Sequence, residues 1–154
     1  MCFNNNFYHQ KKGTAIGTAM AVNFANLFMS KFENEMLESY ELQYGKRPTF
    51  WLRYIDDIFF IWLGSLNSLQ QFFTQANAFH KTIKFTFEHS QTHINFLDTT
   101  IYLDKARKLQ TTIYRKPTDK NLILHFSSHH PLHIKRNIIY TQALRYKRIC
   151  STPY

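Results

Sequence analysis

Tyr54-Ile55-Asp56-Asp57 sets two carboxylates side by side between two short aromatic runs, Phe50-Trp51-Leu52-Arg53 before it and Ile58-Phe59-Phe60-Ile61-Trp62 after it. Two apolar runs joined by so short a polar break predict a β-hairpin carrying the paired acids at its tip. Nucleotidyl transfer needs such a pair. Carboxylate oxygens hold two Mg²⁺ ions about 3.5–4 Å apart, one activating the attacking hydroxyl and one steadying the leaving phosphate. The alternative is an Asp-Asp turn in an ordinary hairpin, since aspartate suits turns through its own backbone hydrogen bonding. The tetrapeptide alone leaves both readings open.

Other groups could do chemistry on the same polyanionic substrate. Gly13 and Gly17 stand in a loop that leads into a helix. Glycine there lets backbone approach a phosphate or base, and free N–H groups at the helix start face an anion. A plain glycine turn before a helix is the other reading. Lys81 or Lys84 could protonate a pyrophosphate leaving group, or could be surface lysines. His125, His129, His130 and His133 suggest zinc, but no cysteine accompanies them. Structural or phosphate-contacting roles are preferred.

The elements that must position these groups follow from periodicity. Asn6 to Gln10 reads as a short strand. From about Thr18 a helix places Met20, Phe24, Leu27, Phe28, Phe32, Met36 and Tyr40 on one broad apolar face, with Glu33, Glu35, Glu38 and Glu41 on the outer one. Gly45-Lys46-Arg47-Pro48 ends it before the Asp-Asp hairpin. Leu66, Leu69, Phe72, Phe73, Ala76 and Phe79 then recur at helical spacing, with Ser65 or Asn67 as N-cap. A strand is predicted over Ile83 to Glu88, then a hairpin of Ile94 to Leu103 and Lys108 to Tyr114 turning through residues 104–107. Pro131 opens a basic helix to about Ile149, with Ile134, Ile138, Ile139, Ala143, Leu144 and Tyr146 available to a core. This order predicts an α+β domain with an antiparallel sheet.

The chain has 154 residues, enough for one domain with a real core, and a formal net charge of +9. That excess favours a polyanionic partner, nucleic acid before membrane. From Lys105 onward there are eleven basic residues and one acid, Asp119, although a basic stretch is also what a solvated face looks like. Cys2 and Cys150 lack metal-ligand spacing, which predicts reduced thiols and an intracellular protein; a nuclear location is a separate expectation. No apolar stretch approaches the roughly 18–20 residues of a membrane span, and the first residues lack the features of a signal peptide.

Four segments in order resemble the reverse transcriptase of Penelope-like retroelements, relatives of the telomerase catalytic subunit. Residues 10–20, Gln10-Lys11-Lys12-Gly13-Thr14 to Met20, with Ala25-Asn26-Leu27-Phe28-Met29, resemble polymerase motif B. Arg53-Tyr54-Ile55-Asp56-Asp57 resembles motif C, and Asn95-Phe96-Leu97-Asp98 the strand entering the primer grip. Tyr114-Arg115-Lys116-Pro117-Thr118, then His125-Phe126-Ser127-Ser128-His129-His130-Pro131, resembles the connection into the thumb. The resemblance implies a truncated palm over residues 1–114 and a mainly helical, basic thumb segment over residues 115–154. It implies RNA-directed DNA polymerisation, with an RNA template, a DNA primer or RNA–DNA hybrid, a deoxynucleoside triphosphate, and Mg²⁺ or Mn²⁺.

The resemblance also implies roles. Asp56 would be the principal metal ligand and Asp57 its partner. Gln10, Gly13, Thr14 and Gly17 would touch template and incoming nucleotide. Tyr54 would pack beside the primer terminus or simply fill the sheet. Phe96, Leu97 and Asp98 would hold the primer, unless Phe96 and Leu97 are core. Arg115, Lys116, Lys120, Lys135, Arg136, Arg145, Lys147 and Arg148 would line the duplex, giving salt-dependent affinity for a hybrid recognised by shape.

The chain departs from the family in ways that bear on activity. The first acidic residue is Glu33, so the upstream strand that carries a third metal-binding aspartate is not here, nor are the fingers or the endonuclease that many such elements carry. Ala19 and Val22 stand where relatives more often place a basic or small residue and a proline. The expectation is a poor or dead polymerase in isolation, because misplaced ions cost a hundredfold or more in rate. A non-catalytic nucleic-acid-binding remnant is the alternative. So is a helix-turn-helix DNA reader, for which residues 131–150 supply one clear helix.

Overall fold

The computed structural model describes residues 2–15, 17–119 and 124–152, and the chain divides between Thr86 and Phe87 into two compact units. That division lies upstream of the boundary after Tyr114 that the motifs imply. Helices and small antiparallel sheets occur together, so the chain is mixed α and β.

The first unit begins with a minimal hairpin, β1 (Cys2–Phe3) and β2 (Asn6–Phe7). Asn4 and Asn5 turn it with φ of 49° and 56°. These are left-handed values that asparagine tolerates. The strand expected to run on to Gln10 spans Asn6–Phe7, paired with Cys2–Phe3. Helix α1 (Ala19–Tyr44) ends at Gly45, whose φ of 63° lets its N–H return to the Glu41 carbonyl at 2.8 Å. A left-handed glycine is the common way to close a helix.

The main core cluster takes only the C-terminal half of α1, and Ala21 is buried outside that cluster. Phe32, Met36, Leu37 and Tyr40 bury against Phe72 and Ala76 of α2 (Leu66–Phe79). Met20, Val22, Phe24 and Leu27 are more than half exposed, so the continuous apolar face expected from Met20 to Tyr40 is cut short. The reason is the reach of the partners. Helix α2 and the hairpin β3 (Phe50–Tyr54) and β4 (Asp57–Ile61) supply the packing side chains, and these gather around residues 29–44. Ser65 caps α2, its Oγ accepting from the Ser68 N–H at 3.3 Å. The bond satisfies one of the donors that a helix start leaves free.

The hairpin is seated by its aromatics. Trp51 and Phe60, paired across the strands, stack at 5.4 Å, and Phe72 lies 5.1 Å from Trp62 and 4.9 Å from Tyr40. Alternation leaves Phe50, Leu52 and Tyr54 on the exposed face. The strand expected over Ile83 to Glu88 does not pair. The side-chain amide of Asn77 does for Phe85 what a neighbouring strand would do, accepting from its N–H at 2.6 Å and donating to its carbonyl at 3.1 Å.

The second unit is a meander of β5 (His93–Phe96), β6 (Thr99–Leu103) and β7 (Leu109–Ile113), with helix α3 (Leu132–Ile149) against β7. The strand expected from Ile94 to Leu103 is broken at Leu97-Asp98, where a two-residue turn brings Phe96 opposite Thr99. Leu97 takes φ 54° there. The sequence does not announce such a value, because leucine rarely adopts it. Thr111 fastens α3 to the sheet: its carbonyl accepts from Ser151 N–H at 3.0 Å and its N–H donates to Ser151 Oγ at 2.8 Å.

The core side expected of α3 is a second correction. No residue of α3 is buried; Ile139 is 80% exposed, and Ile138, Leu144 and Tyr146 are half-buried. The fastening sits at the helix's last turn, and the sheet is too small to cover the rest. Among the described residues no helix is long and apolar enough to cross a membrane.

Candidate functional site

Tyr54 and Asp57 close the β3–β4 hairpin as its last paired residues, leaving Ile55 and Asp56 as the loop. Ile55 has φ 56° while Asp56 does not enter the left-handed region. That is the pattern of a type II′ turn. Glycine is the usual residue there. A β-branched one is strained by roughly 1–2 kcal/mol and persists only where its surroundings hold it.

Arg53 does the holding. Its Nε donates to Glu33 Oε1 at 2.7 Å, and its Nη1 donates to Asn26 Oδ1 at 2.9 Å and to the Ile55 carbonyl at 3.0 Å. One planar guanidinium thus ties the strained turn to α1. The two side chains are 11% and 10% exposed, so the pair is nearly dry. Helical periodicity puts the glutamates outside, but Glu33 is inside, and neither it nor Arg53 is among the site residues expected from the sequence. A signal was present. Asn26, Met29, Glu33, Met36 and Tyr40 recur at spacings of three and four, which places Glu33 on the buried stripe, and Arg53 is the lone cation in residues 50–62.

Tyr54, Asp56 and Asp57 are all exposed, so the carboxylates face solvent on a tip fixed from behind. Two adjacent exposed carboxylates are a partial set of hard oxygen donors, suited to a hydrated divalent cation. They do not close a site for two ions, and among the described residues no three His, Cys, Asp or Glu side chains come together as a metal-binding group.

The loop before α1 folds on itself. Gln10 Nε2 donates to the Lys12 carbonyl at 2.9 Å, and a Cβ on Gly13 (φ 77°) would sit 3.3 Å from that same Nε2. Gly17 is also left-handed, Thr14 is half-buried, and Thr18 caps α1 in extended conformation with its hydroxyl donating to the Ala15 carbonyl at 3.1 Å. Lys84 is held in a structural role, its Nζ donating to the carbonyls of Asn77 and His80. These lie at the C-terminus of α2, where carbonyls lack helical partners. Lys81 is exposed.

In the second unit Phe96, Leu97 and Asp98 lie at the β5–β6 turn. Asp98 and Arg145, expected to meet nucleic acid separately, meet each other at 2.6 Å, both about half exposed. Arg115 bonds to the Tyr146 hydroxyl and lies 5.9 Å over its ring. Lys135 donates to the Phe126 carbonyl at 2.7 Å and lies 5.5 Å over that ring. Lys116, Arg136, Lys147 and Arg148 are exposed and make no ion pair or side-chain hydrogen bond among the described residues. Lys120 lies outside the described residues. His125 shares a hydrogen bond of 2.6 Å with Ser127, a local turn contact.

Comparison with known proteins adds one positive finding. Residues 122–154, 33 of the 154, match a family model described as an animal helix-turn-helix domain. Among the described residues of that stretch, α3 is the one helix. No curated protein and no solved structure matches the chain.

Proposed function

We propose that this chain binds nucleic acid, and that it does so as part of a reverse transcriptase related to those of Penelope-like retroelements. The observation that carries the reading is the β3–β4 hairpin, whose tip presents Asp56 and Asp57 to solvent on a strained turn locked by Arg53. Strain retained at a tip that an ordinary turn residue would relieve is a mark of a functional position. Asp56 and Asp57 would hold a divalent cation, Mg²⁺ or Mn²⁺. Such an ion would activate a primer hydroxyl and neutralise a leaving phosphate. Arg53 keeps the carboxylates in place, Tyr54 stands beside them, and the free cations of the second unit neutralise phosphates. The excess of basic residues after Lys105 supports the nucleic-acid part of the reading, as does the helix-turn-helix match at residues 122–154.

Two carboxylates without a third cannot rigidly place two ions, so the isolated chain is a poor polymerase on this reading. The test is binding of fluorescent RNA–DNA hybrid, duplex DNA and duplex RNA across a KCl series, with primer extension alongside. Preferred, steeply salt-dependent binding of the hybrid with little extension is expected. Vigorous templated incorporation that vanishes on Asp56→Ala would overturn the inactivity, and indifference to every nucleic acid would overturn the whole reading.

A second reading is favoured by the match at residues 122–154: a helix-turn-helix module reading duplex DNA, with α3 in the major groove. Sequence-specific duplex binding that outcompetes the hybrid would select it.

A further inference from the structure

The basic residues of α3 are not equivalent, and their partners sort them. Arg145 is engaged by Asp98, and Lys135 by the Phe126 carbonyl and ring. Arg136 and Lys147 are exposed and unpartnered among the described residues. At about 100° per residue, Arg136, Tyr140 and Lys147 fall within roughly 40° of one another around the helix, while Lys135 lies about 120° and Arg145 about 160° from the middle of that group. Tyr140 is 65% exposed, and α3 contains no acidic residue. One face therefore carries two free cations with an aromatic ring between them, and the anchoring contacts lie elsewhere on the helix.

Resting on the nucleic-acid reading above, we propose that this outward face is the contact surface for a nucleic-acid strand: Arg136 and Lys147 take its phosphates and Tyr140 stacks on an unpaired base, while Lys135, Arg145 and Arg115 are structural. Charge complementarity names the occupant, since an acid-free basic face suits a polyanion. The spacing agrees. Arg136 and Lys147 are eleven residues apart, about 16 Å along the axis, close to five steps of a stacked strand at about 3.4 Å each. An exposed ring between cations is also how single strands are held without reading sequence.

The full chain is tested against a labelled oligouridylate and a blunt hairpin duplex across a KCl series. Two double variants remove equal charge, Arg136→Gln with Lys147→Gln and Lys135→Gln with Arg145→Gln. The first is expected to flatten the single-strand salt slope by about 1.4, about 0.7 per lost contact. The second is expected to leave the slope near wild type and instead lower the melting temperature followed by circular dichroism. Tyr140→Ala is expected to weaken single-strand binding roughly tenfold, with Tyr140→Phe retaining it and the blunt duplex little affected. Equal slope losses from the two charge pairs would mean a diffuse potential and overturn the assignment. Equal losses on both probes for Tyr140→Ala would overturn the stacking. Wild-type binding that no α3 variant changes, or binding of the RNA–DNA hybrid but of neither probe, refutes this surface alone, whereas a wild type that binds neither probe nor the hybrid refutes the nucleic-acid reading with it.

Discussion

Glu33→Gln keeps the size of the side chain and removes only its charge, leaving the Arg53 guanidinium without its anion behind the Asp-Asp turn. The contact is 2.7 Å, and the two side chains are 11% and 10% exposed, so water cannot stand in for the lost carboxylate. Removing one partner of a buried pair typically costs about 3–5 kcal/mol. Arg53 keeps its bonds to Asn26 and the Ile55 carbonyl. That sets the expectation at the lower end, about 3 kcal/mol. For a unit of this size that corresponds to a fall in Tm of roughly 12–24 °C. The assay is urea and thermal unfolding followed by tryptophan fluorescence. Trp51 and Trp62 are the chain's two tryptophans and both lie in the first unit, so the signal reports on it alone. Glu33→Leu with Arg53→Met is expected to recover only part of the loss, because an apolar pair carries no desolvation cost but forfeits the bonds to Asn26 and the Ile55 carbonyl. A Glu33→Gln shift under about 0.5 kcal/mol, the size of an ordinary surface change, would show that the pair does not hold the turn.

Three further outcomes follow from the structure. Ile55→Gly should relieve the left-handed strain and stabilise the hairpin by up to about 1 kcal/mol; a destabilised hairpin by amide exchange would show that Ile55 is not strained. Phe72→Ala removes the ring at the centre of Tyr40, Trp51, Phe60 and Trp62. It is expected to cost about 3–5 kcal/mol, read as a collapse of the tryptophan unfolding midpoint. Asp104 accepts from the Lys108 and Ala106 N–H groups and from Gln110, and the Lys108 bond foremost holds its carboxyl below the usual carboxylate range. A depressed folded pKa stabilises above the ordinary value of about 3.9, and the contribution is lost as pH falls through the folded value. Protection of the β6–β7 amides should therefore drop in acid for the wild type, and Asp104→Asn should remove that dependence.

The hairpin was legible because two aromatic runs flank a break of only a few residues, and alternation then dictates which side chains pack. The helices were legible in their extents, α1 from its 3.6 period and the Gly45 stop, α2 from Ser65 and its inward leucine and phenylalanine. What could not be read were features made by partners distant in the chain. Glu33 and Arg53 are twenty residues apart, and an ion pair across elements leaves no local pattern. Residues 83–88 alternate like a strand, yet Asn77 takes the hydrogen bonds a strand would need. Leu97, and not the Asp98 beside it, takes the left-handed φ, the reverse of what residue preference favours. Helix α3 has apolar residues at core spacing, but a three-stranded sheet fastened at its last turn cannot cover them.

The β3–β4 tip as a seat for a divalent cation is what the functional reading most depends on, and Mn²⁺ titration followed by amide line broadening probes it without relying on catalysis. Selective broadening of residues 54–58 at low Mn²⁺, abolished by Asp56→Asn with Asp57→Asn, is the expected result. Broadening spread evenly over the exposed acids, or centred on the histidines of residues 125–133, would contradict it and leave Asp56 and Asp57 as an ordinary solvated turn.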